Sequence, residues 1–447
     1  MYNFCCCWCS AALLSLVLVS CHGFLPPDAA SRPSQRFFQS TASVSVLRSG
    51  ANAVDGVTHL STIERVLCIS DLHTDHMVNM QWLENRTCLH DDLGETDLIV
   101  VAGDISHDLE TFERSLLFLT ETGAQVFFVP GNHEAWLASS DLEDGSSVDK
   151  LDLIYQACER LGVLTGCILV GGTDDKPYPL WIAPLQSWYD GSLSLENLED
   201  LCDDFGKWPW VDFIRCKWPF RPMGGREKKI PAGLTQFFAN RNKVVLEQVE
   251  ASTSAWDSNA VKIQGCAVMT VSHFLPNKQS LPDWKDVSSP HFLRDQWLDH
   301  GAGQTSAKFA KVAGTELIDK QIRDELRLPK DTRQIHIFGH SHRPKDFEYD
   351  NIRYIHNPLG KPREREIFMV SPDVDLQLVW DTRKGEVPGE VVIRYWEEKG
   401  GGLDALRLRM SKSRRPSRFK HMHAKVKRDA AHTPQLKEQR NQGPNHH

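Results

Sequence analysis

Five short apolar runs, rich in β-branched and aromatic residues, punctuate the chain, and each ends in polar residues that packing does not explain. They are Arg65–Ser70 (RVLCIS), Asp97–Ala102 (DLIVVA), Gln125–Val129 (QVFFV), Cys266–Val271 (CAVMTV) and Arg333–Phe338 (RQIHIF). Runs of this length and composition read as buried strands. Between them, Thr111–Thr120 and Leu151–Leu161 carry helical spacing. Thr315–Leu326 places Leu317, Ile318, Ile322 and Leu326 on one helix face. Leu376–Trp380 and Val391–Trp396 read as a closing hairpin around Gly385 to Gly389. Alternation of strand, loop and helix from Glu64 onward predicts an α/β fold.

The residues that follow the five runs are chemically coherent. They are Ser70-Asp71-Leu72-His73, Gly103-Asp104, Gly131-Asn132-His133-Glu134, Ser272-His273 and Gly339-His340-Ser341-His342. In sheets covered by helices, ligands gather at the carboxyl ends of strands, so five such loops can converge. Together they offer carboxylates, an amide oxygen and several imidazoles, a donor mixture that suits zinc, iron or manganese. Residues i and i+2 leaving an extended strand point the same way, so Asp71 and His73 can hold one ion, and the same argument applies to His340 and His342. Glycines 103, 131 and 339 let the backbone turn sharply just before each ligand. Singly these signals are weak: a lone D-x-H is most often a surface accident, and His273 alone reads as a satisfied core histidine. All five in this order, each behind a strand, are hard to reach by chance. His59, His76, His90, His291, His300, His336 and His356 read as non-ligands, and Cys68 as core; Asp75 and His76 lie close enough to Asp71 to be its neighbours.

The blocks DLH, GD, GNHE, an isolated SH and GHSH resemble the five signature blocks of the calcineurin-like metallophosphoesterase superfamily, over Glu64 to Pro358 outside a central insertion. The resemblance implies two packed mixed β-sheets flanked by helices, a four-layer sandwich, and two metal ions (manganese, iron or zinc). It implies Asp71, His73 and His342 at one metal, Asn132, His273 and His340 at the other, and Asp104 bridging both. His133 is implied to be a phosphate ligand or the general acid to the leaving oxygen. The implied reaction is hydrolysis of a phosphate mono- or diester by a metal-bridging hydroxide, with a phosphorylated small molecule or a phosphodiester as substrate. Asn357-Pro358 matches a late turn common in the family. One departure concerns the acid that often follows the bridging Asp by three residues and orients the GNHE histidine. That position is His107 here, and the acid, Asp108, comes one later. The longer GDxVDRG form of protein phosphatases is absent, which disfavours protein dephosphorylation. Two other readings remain: a catalytically weak metal-binding scaffold for protein interaction, against which every ligand position is filled, and a nuclease of the same superfamily.

Charge bears on the nuclease. Of 51 basic and 59 acidic residues, the first 54 positions hold three and one, and those from Leu403 hold twelve and three. The body between them keeps 36 and 55, a net charge near −19. Nucleic-acid binding is dominated by cationic contacts to phosphates, so no nucleic-acid partner is expected. Between Pro184 and Gly265, an insertion at about 185–265 holds Trp188, Trp208, Trp210, Trp218 and Trp256, with prolines and glycines breaking regular structure. It reads as a cap whose tryptophans serve packing more than substrate contact. The seven body cysteines (68, 88, 158, 167, 202, 216 and 266) show no C-x-x-C spacing, which indicates neither a disulfide framework nor a zinc knuckle and fits a reducing compartment.

The two ends differ from the body at 55–402. In the leader, 1–54, Ala11–Val19 is an apolar run of signal-peptide length, though no Lys or Arg precedes it. The stretch from Phe24 is Ser- and Arg-bearing and nearly acid-free, like an organellar transit peptide. A signal-like run followed by a transit-like stretch resembles the bipartite leader of proteins sent to plastids bounded by extra membranes. A secretory signal with a spacer, or a signal anchor in residues 1–20, are the alternatives. Membrane contact is expected only through this leader. The tail, 403–447, is rich in Arg, Lys, Ser and Gln and reads as disordered. A fluorescent reporter fused behind residues 1–60 is expected in the plastid; its secretion, or retention in the endoplasmic reticulum, would remove that expectation.

Overall fold

The computed structural model describes residues 52–399 except 55, 89–91, 139–144, 196–201, 203–204, 220–229, 231–232, 259–264 and 283–302. The leader up to residue 51, the basic tail, and His90, His291 and His300 lie outside the described residues.

Thirteen strands are described. In chain order they are β1 Asn52–Val54, β2 Val57–Leu60, β3 Arg65–Ile69, β4 Asp97–Ala102, β5 Gln125–Val129, β6 Ile168–Val170 and β7 Leu180–Pro184. The rest are β8 Ala267–Val271, β9 Arg333–Ile337, β10 Lys345–Tyr349, β11 Ile352–His356, β12 Gln377–Asp381 and β13 Gly385–Glu386. The five strands expected from composition are β3, β4, β5, β8 and β9. They form two mixed sheets, one of five strands in the order β13-β12-β3-β4-β5 and one of eight in the order β1-β2-β6-β7-β8-β9-β11-β10. β3, β4 and β5 run parallel, as do β7, β8 and β9.

Alternation along the strands explains the layers, because successive side chains point to opposite faces. From β4, Leu98, Val100 and Ala102 pack with Ile182, Met269, Val271 and Ile337 of the larger sheet. Ile99 and Val101 of the same strand point the other way, against Phe112 and Leu116 of the helix Leu109–Glu121 and Ile154 of the helix Ser147–Leu161. On the outer face of the larger sheet, Trp181, Val268 and Tyr354 pack with Phe238, Leu246 and Val249 of a third helix. The result is helix, sheet, sheet, helix, with strands buried on both faces, which is why their sequences read as continuous apolar runs.

Two expectations fail for local reasons. The insertion is not wholly irregular: Leu234–Ser258 forms a helix of 25 residues. No Pro or Gly interrupts that stretch, and its apolar residues supply the outer helical layer. Here Trp181 donates from Nε1 to Ser252 at 2.9 Å and packs edge-on against Trp256. The closing hairpin is also tighter than expected, since β12 turns directly into β13. Val391 and Ile393 are exposed, and Val392 makes only an isolated antiparallel bridge to Asp346. The expected helix at Thr315–Leu326 runs as Glu316–Lys320 followed by a wider π-type turn, with Ile318, Ile322 and Leu326 buried. No helix among the described residues is long and apolar enough to cross a membrane.

His336, on β9, is buried between the layers, with ring nitrogens 2.8 Å from Thr270 Oγ1 and 3.1 Å from Ser272 Oγ. Burial pushes its pKa down to about 3, from an ordinary 6.5. The unfolded chain therefore binds this proton more tightly. Its contribution is fully present above pH 6.5 and is lost as pH falls toward about 3, at about 1.4 kcal/mol per pH unit for one proton. Urea denaturation across that window should give a slope shallower by that amount in His336→Gln. Parallel slopes for the two proteins would show that His336 is protonated in the fold.

Candidate metal centre

The five loops meet where the carboxyl ends of β3, β4 and β5 face those of β8 and β9. Backbone hydrogen bonds lock them together: Asp71 N–H to the Gly103 carbonyl (3.0 Å), His73 N–H to Asp104 (2.9 Å), and Gly339 N–H to His273 (2.8 Å). The His340 N–H donates to Asp71 Oδ1 at 2.9 Å, joining a loop of one sheet to a loop of the other. Asp71, His73, Asp104, His340 and His342 all adopt positive φ, between 44° and 73°. Such left-handed residues cost free energy and persist where surrounding structure over-determines them.

That geometry corrects two expectations. The i, i+2 argument assumed an extended chain, and at φ of 73° and 51° the side chains of His340 and His342 diverge into different clusters. Of the three glycines, only Gly103 has positive φ, at 79°. At Gly131 and Gly339 the requirement is space. A Cβ on Gly131 would overlap the Asp104 carboxylate, and one on Gly339 would lie 2.7 Å from the Ala102 carbonyl oxygen and 2.8 Å from His273 Nδ1.

Two sets of donor atoms, each within 4.8 Å of one another, could hold a metal ion: Asp71, His73, Asp104 and His342, and Asp104, His273 and His340. Asp104 belongs to both. Asn132 Oδ1 joins the second set, 3.2 Å from His273 Nε2 and 3.0 Å from His340 Nδ1. A third set, His73, Asp75 and His133, shares His73 with the first.

The tautomers test whether a cation fits. His273 Nδ1 donates to the Ala102 carbonyl (2.9 Å), His340 Nε2 to the Val312 carbonyl (3.0 Å) and His342 Nδ1 to Glu364 (2.8 Å). A neutral imidazole has one N–H, so the opposite nitrogen of each ring is a bare lone pair. Those lone pairs point at oxygens: His273 Nε2 is 3.3 Å from Asp104 Oδ1, and His342 Nε2 is 3.4 Å from Asp71 Oδ1. His342 Nε2 also lies 2.8 Å from His73 Nε2. Protonating His273 or His340 would relieve the clash there, but burial opposes it. Burial pushes His273 down to about 4 and holds His73 and His340 well below the usual imidazole range. Acceptor facing acceptor in a buried site is what a cation resolves, and the donor set fits one.

Buried partners fix these ligands, as outer-shell groups do in metal sites. Asp71 Oδ2 accepts from Ser70 Oγ (2.6 Å) and His356 Nε2 (3.0 Å). Burial opposes ionisation of Asp71; the charge that His342 would carry if protonated and the hydrogen bond from His356 work the other way and lower the carboxyl below its usual range. Burial, then Glu134 and Asp71, push Asp104 well above that range. Glu134 takes the N–H groups of Gly131, Asp104, Ile105 and Ser106 at 2.7–3.2 Å. Burial nonetheless raises it to about 7. Asp212, from the insertion, accepts from Asn132 Nδ2 (2.8 Å), Trp136 Nε1 (2.7 Å) and Trp210 Nε1 (2.9 Å).

His133 is buried beside both sets, with Nε2 3.7 Å from Asp104 Oδ2 and its ring stacked on Trp136 at 3.7 Å. Its Nδ1 has no hydrogen-bond partner among the described residues. Asp108 does not orient it. That carboxylate caps the helix Leu109–Glu121, accepting from the Thr111 N–H and hydroxyl. The displacement by one residue puts it at the helix start, where a cap is worth about 1 kcal/mol. His107, half-buried, lies 3.8 Å from Asp75 and 5.8 Å, ring to ring, from Trp136. A cavity of about 300 Å³ opens onto the centre, lined on one side by Asp104, Asn132, His133, His340 and His342. Its other walls are Trp136, Trp208, Pro209, Trp210, Val211 and Asp212, with Lys361 at the edge. Trp208 and Trp210 thus face the cavity, stacked at 4.9 Å, while Trp188 and Trp218 pack together in the core.

The sequence profile of the family described as calcineurin-like phosphoesterase matches residues 64–379. The chain belongs to that family. It is 31% identical over 137 residues to the acyl-carrier-protein phosphodiesterase PptH of Mycobacterium tuberculosis, an alignment spanning 29% of this chain and 39% of that relative. The crystal structure of phosphopantetheinyl hydrolase (PptH) from the same organism superposes with a TM-score of 0.47 at 22% identity, over 74% of this chain and 100% of that one. A Thermus thermophilus protein gives 0.33 at 9% identity, over 72% and 95%.

Sequence reasoning missed Asp212, Glu364 and the contact of His356 with Asp71. Glu134 stood in a quoted block and received no role. Among the three glycines of the site, the sharpest steric demand falls on Gly131. Gly131→Ala should cost about 1–3 kcal/mol, the usual range for overpacking, and separate Asp104 from His273. Gly166→Ala, exposed with nothing within 4 Å, should stay within about 0.5 kcal/mol. Urea denaturation of both in chelator measures this, and equal stabilities would mean the loop gives way freely.

Proposed function

We propose that this member of the calcineurin-like phosphoesterase family hydrolyses a phosphate diester at two cations held between its sheets. The observation that carries the reading is the set of buried imidazole lone pairs aimed at oxygens around Asp104. Asp71, His73 and His342 would hold one cation, Asn132, His273 and His340 the other, and Asp104 would reach both. Manganese, iron and zinc all suit these donors. When bound, the two cations would neutralise a phosphate group and activate water for in-line attack.

The chain's own residues would do the rest. His133 lines the cavity next to Asp104 and is assigned the proton for the departing alkoxide. Burial, then His73 and Lys361, hold its imidazole below the usual range, so it is neutral while the cavity is empty of anions. A phosphate ester would bring the negative charge that favours its protonation. Stacking on Trp136 fixes the ring plane. Lys361, which also lines the cavity, would meet a phosphate oxygen. The tryptophan wall excludes water and offers apolar surface to the alcohol portion of the ester.

A diester is favoured over a monoester by the relative whose name is that of a phosphodiesterase. An acyl carrier protein bearing phosphopantetheine is the substrate to try first, beside simple dialkyl and bis-nitrophenyl phosphates. Turnover requiring cations, and abolished by chelator, is expected. Two bound cations without hydrolysis of any ester would leave the metal-binding scaffold in its place. His133→Ala should keep its metal content while losing turnover of alkyl esters by about a hundred- to ten-thousand-fold. The loss should be smaller for bis-nitrophenyl phosphate, whose leaving group needs little protonation. Equal losses on both would remove the acid role.

A further inference from the structure

The amide of Asn132 stands between two groups that want opposite things from it. On one side its oxygen lies 3.0 Å from His340 Nδ1 and 3.2 Å from His273 Nε2, both lone pairs by the tautomers above. On the other, Nδ2 donates to Asp212 Oδ1 at 2.8 Å. Left to the imidazoles alone, the amide would turn over and donate its N–H groups to them. That is the better hydrogen-bonding arrangement in a chain without a cation, and it would present a nitrogen with no lone pair to offer a metal. Asp212 reverses the choice. A carboxylate only accepts, and a turned amide would set oxygen against oxygen in a buried site.

Asp212 is itself held. It is 2% exposed and takes Trp136 Nε1 at 2.7 Å on the same oxygen, with Trp210 Nε1 at 2.9 Å on the other. It sits at the start of the short helix Asp212–Arg215, on the segment inserted between β7 and β8. Nothing in the five loops supplies this acceptor.

We infer that Asp212 is the positioning residue that turns the Asn132 oxygen toward the His273–His340 cation site, so that the insertion completes the metal centre. The inference rests on the proposed two-cation site. Asp212 touches neither cation nor substrate in this assignment; it acts through Asn132. Two indole N–H groups on the same carboxylate tie the cavity wall to that ligand, and one residue sets both.

The test is metal binding, read independently of turnover. Asp212→Asn keeps the shape and supplies an N–H donor facing Asn132, so the amide should turn over. Titration calorimetry of the chelator-treated full chain with manganese or zinc should show one of two ions weakened on the order of 10- to 100-fold, and the other unchanged. Trp210→Phe removes one donor to Asp212 but not its bond to Asn132, and should bind both ions as wild type does. Exchanging the pair, Asn132→Asp with Asp212→Asn, restores an oxygen toward the cation and a donor behind it, and should recover the second ion. Both ions bound at wild-type affinity by Asp212→Asn would overturn the inference, as would equal weakening of both ions, which marks a merely structural role. If Asp212→Asn does not fold, the exchanged pair decides: folded with two ions it supports the inference, folded with one it overturns it. A wild-type chain that binds no pair of ions would overturn this inference together with the reading beneath it.

Discussion

Buried nitrogen lone pairs facing buried oxygens are the interaction on which the rest of this structure turns. His273, His340 and His342 each spend their single N–H on a carbonyl or carboxylate behind them. What remains in front is repulsive in the apolar interior, where unpaired polar groups are costly. A fold that only sought stability would not arrange five loops to converge on such a point. The rigidity of the surroundings makes it tenable. Both sheets are buried on two faces, and the backbone bonds between loops, such as Gly339 N–H to the His273 carbonyl, leave the rings no room to turn aside.

The same rigidity carries the backbone strain. Five of the site residues sit at positive φ, a conformation that non-glycine residues adopt at a cost. Asp71 and Asp104 are tied through their backbone amides and carbonyls to neighbouring loops. Glu134 gathers four backbone N–H groups of the second and third loops onto one carboxylate. That contact fixes the loop of Asp104 to the loop of Asn132, so the two cation sets keep a common member. Glu134 is thus a structural acceptor placed beneath the centre.

Much of this was legible in the sequence because strand ends are punctuated by chemistry. Arg65 to Phe338 read as strand, polar loop, helix, and the runs at Asp97–Ala102 and Gln125–Val129 coincide with strands of the structure. What could not be read depends on contacts between distant segments. Asp212 looks like any acid in a loop until Asn132, 80 positions away, is placed beside it. Asp108, displaced by one residue from the family's position, has its place decided locally, by the Thr111 amide three residues on. The spacing of His340 and His342 suggested one ion through a rule for extended chains that the loop does not obey. Gly131 was assigned to turning when its real constraint is the carboxylate its missing Cβ would meet.

The insertion illustrates how a family core acquires a particular site. Its helix Leu234–Ser258 is an architectural layer, packed on the larger sheet through Phe238, Leu246 and Val249. Its preceding part is different in kind. Trp208 and Trp210 wall the cavity, and Asp212 reaches past them to Asn132. The Asp212 segment is held against the chain that follows β5, by the Leu137 N–H to the Arg215 carbonyl (2.8 Å) and the Ser147 N–H to the Lys217 carbonyl (2.9 Å). The cavity wall and the Asn132 amide thus meet on one carboxylate. A change in the wall that shifts Trp136 moves the donor that shares one Asp212 oxygen with Asn132, whereas Trp210 sits on the other oxygen. In this chain the Trp136 side of the cavity wall is therefore the part coupled to the Asn132 amide.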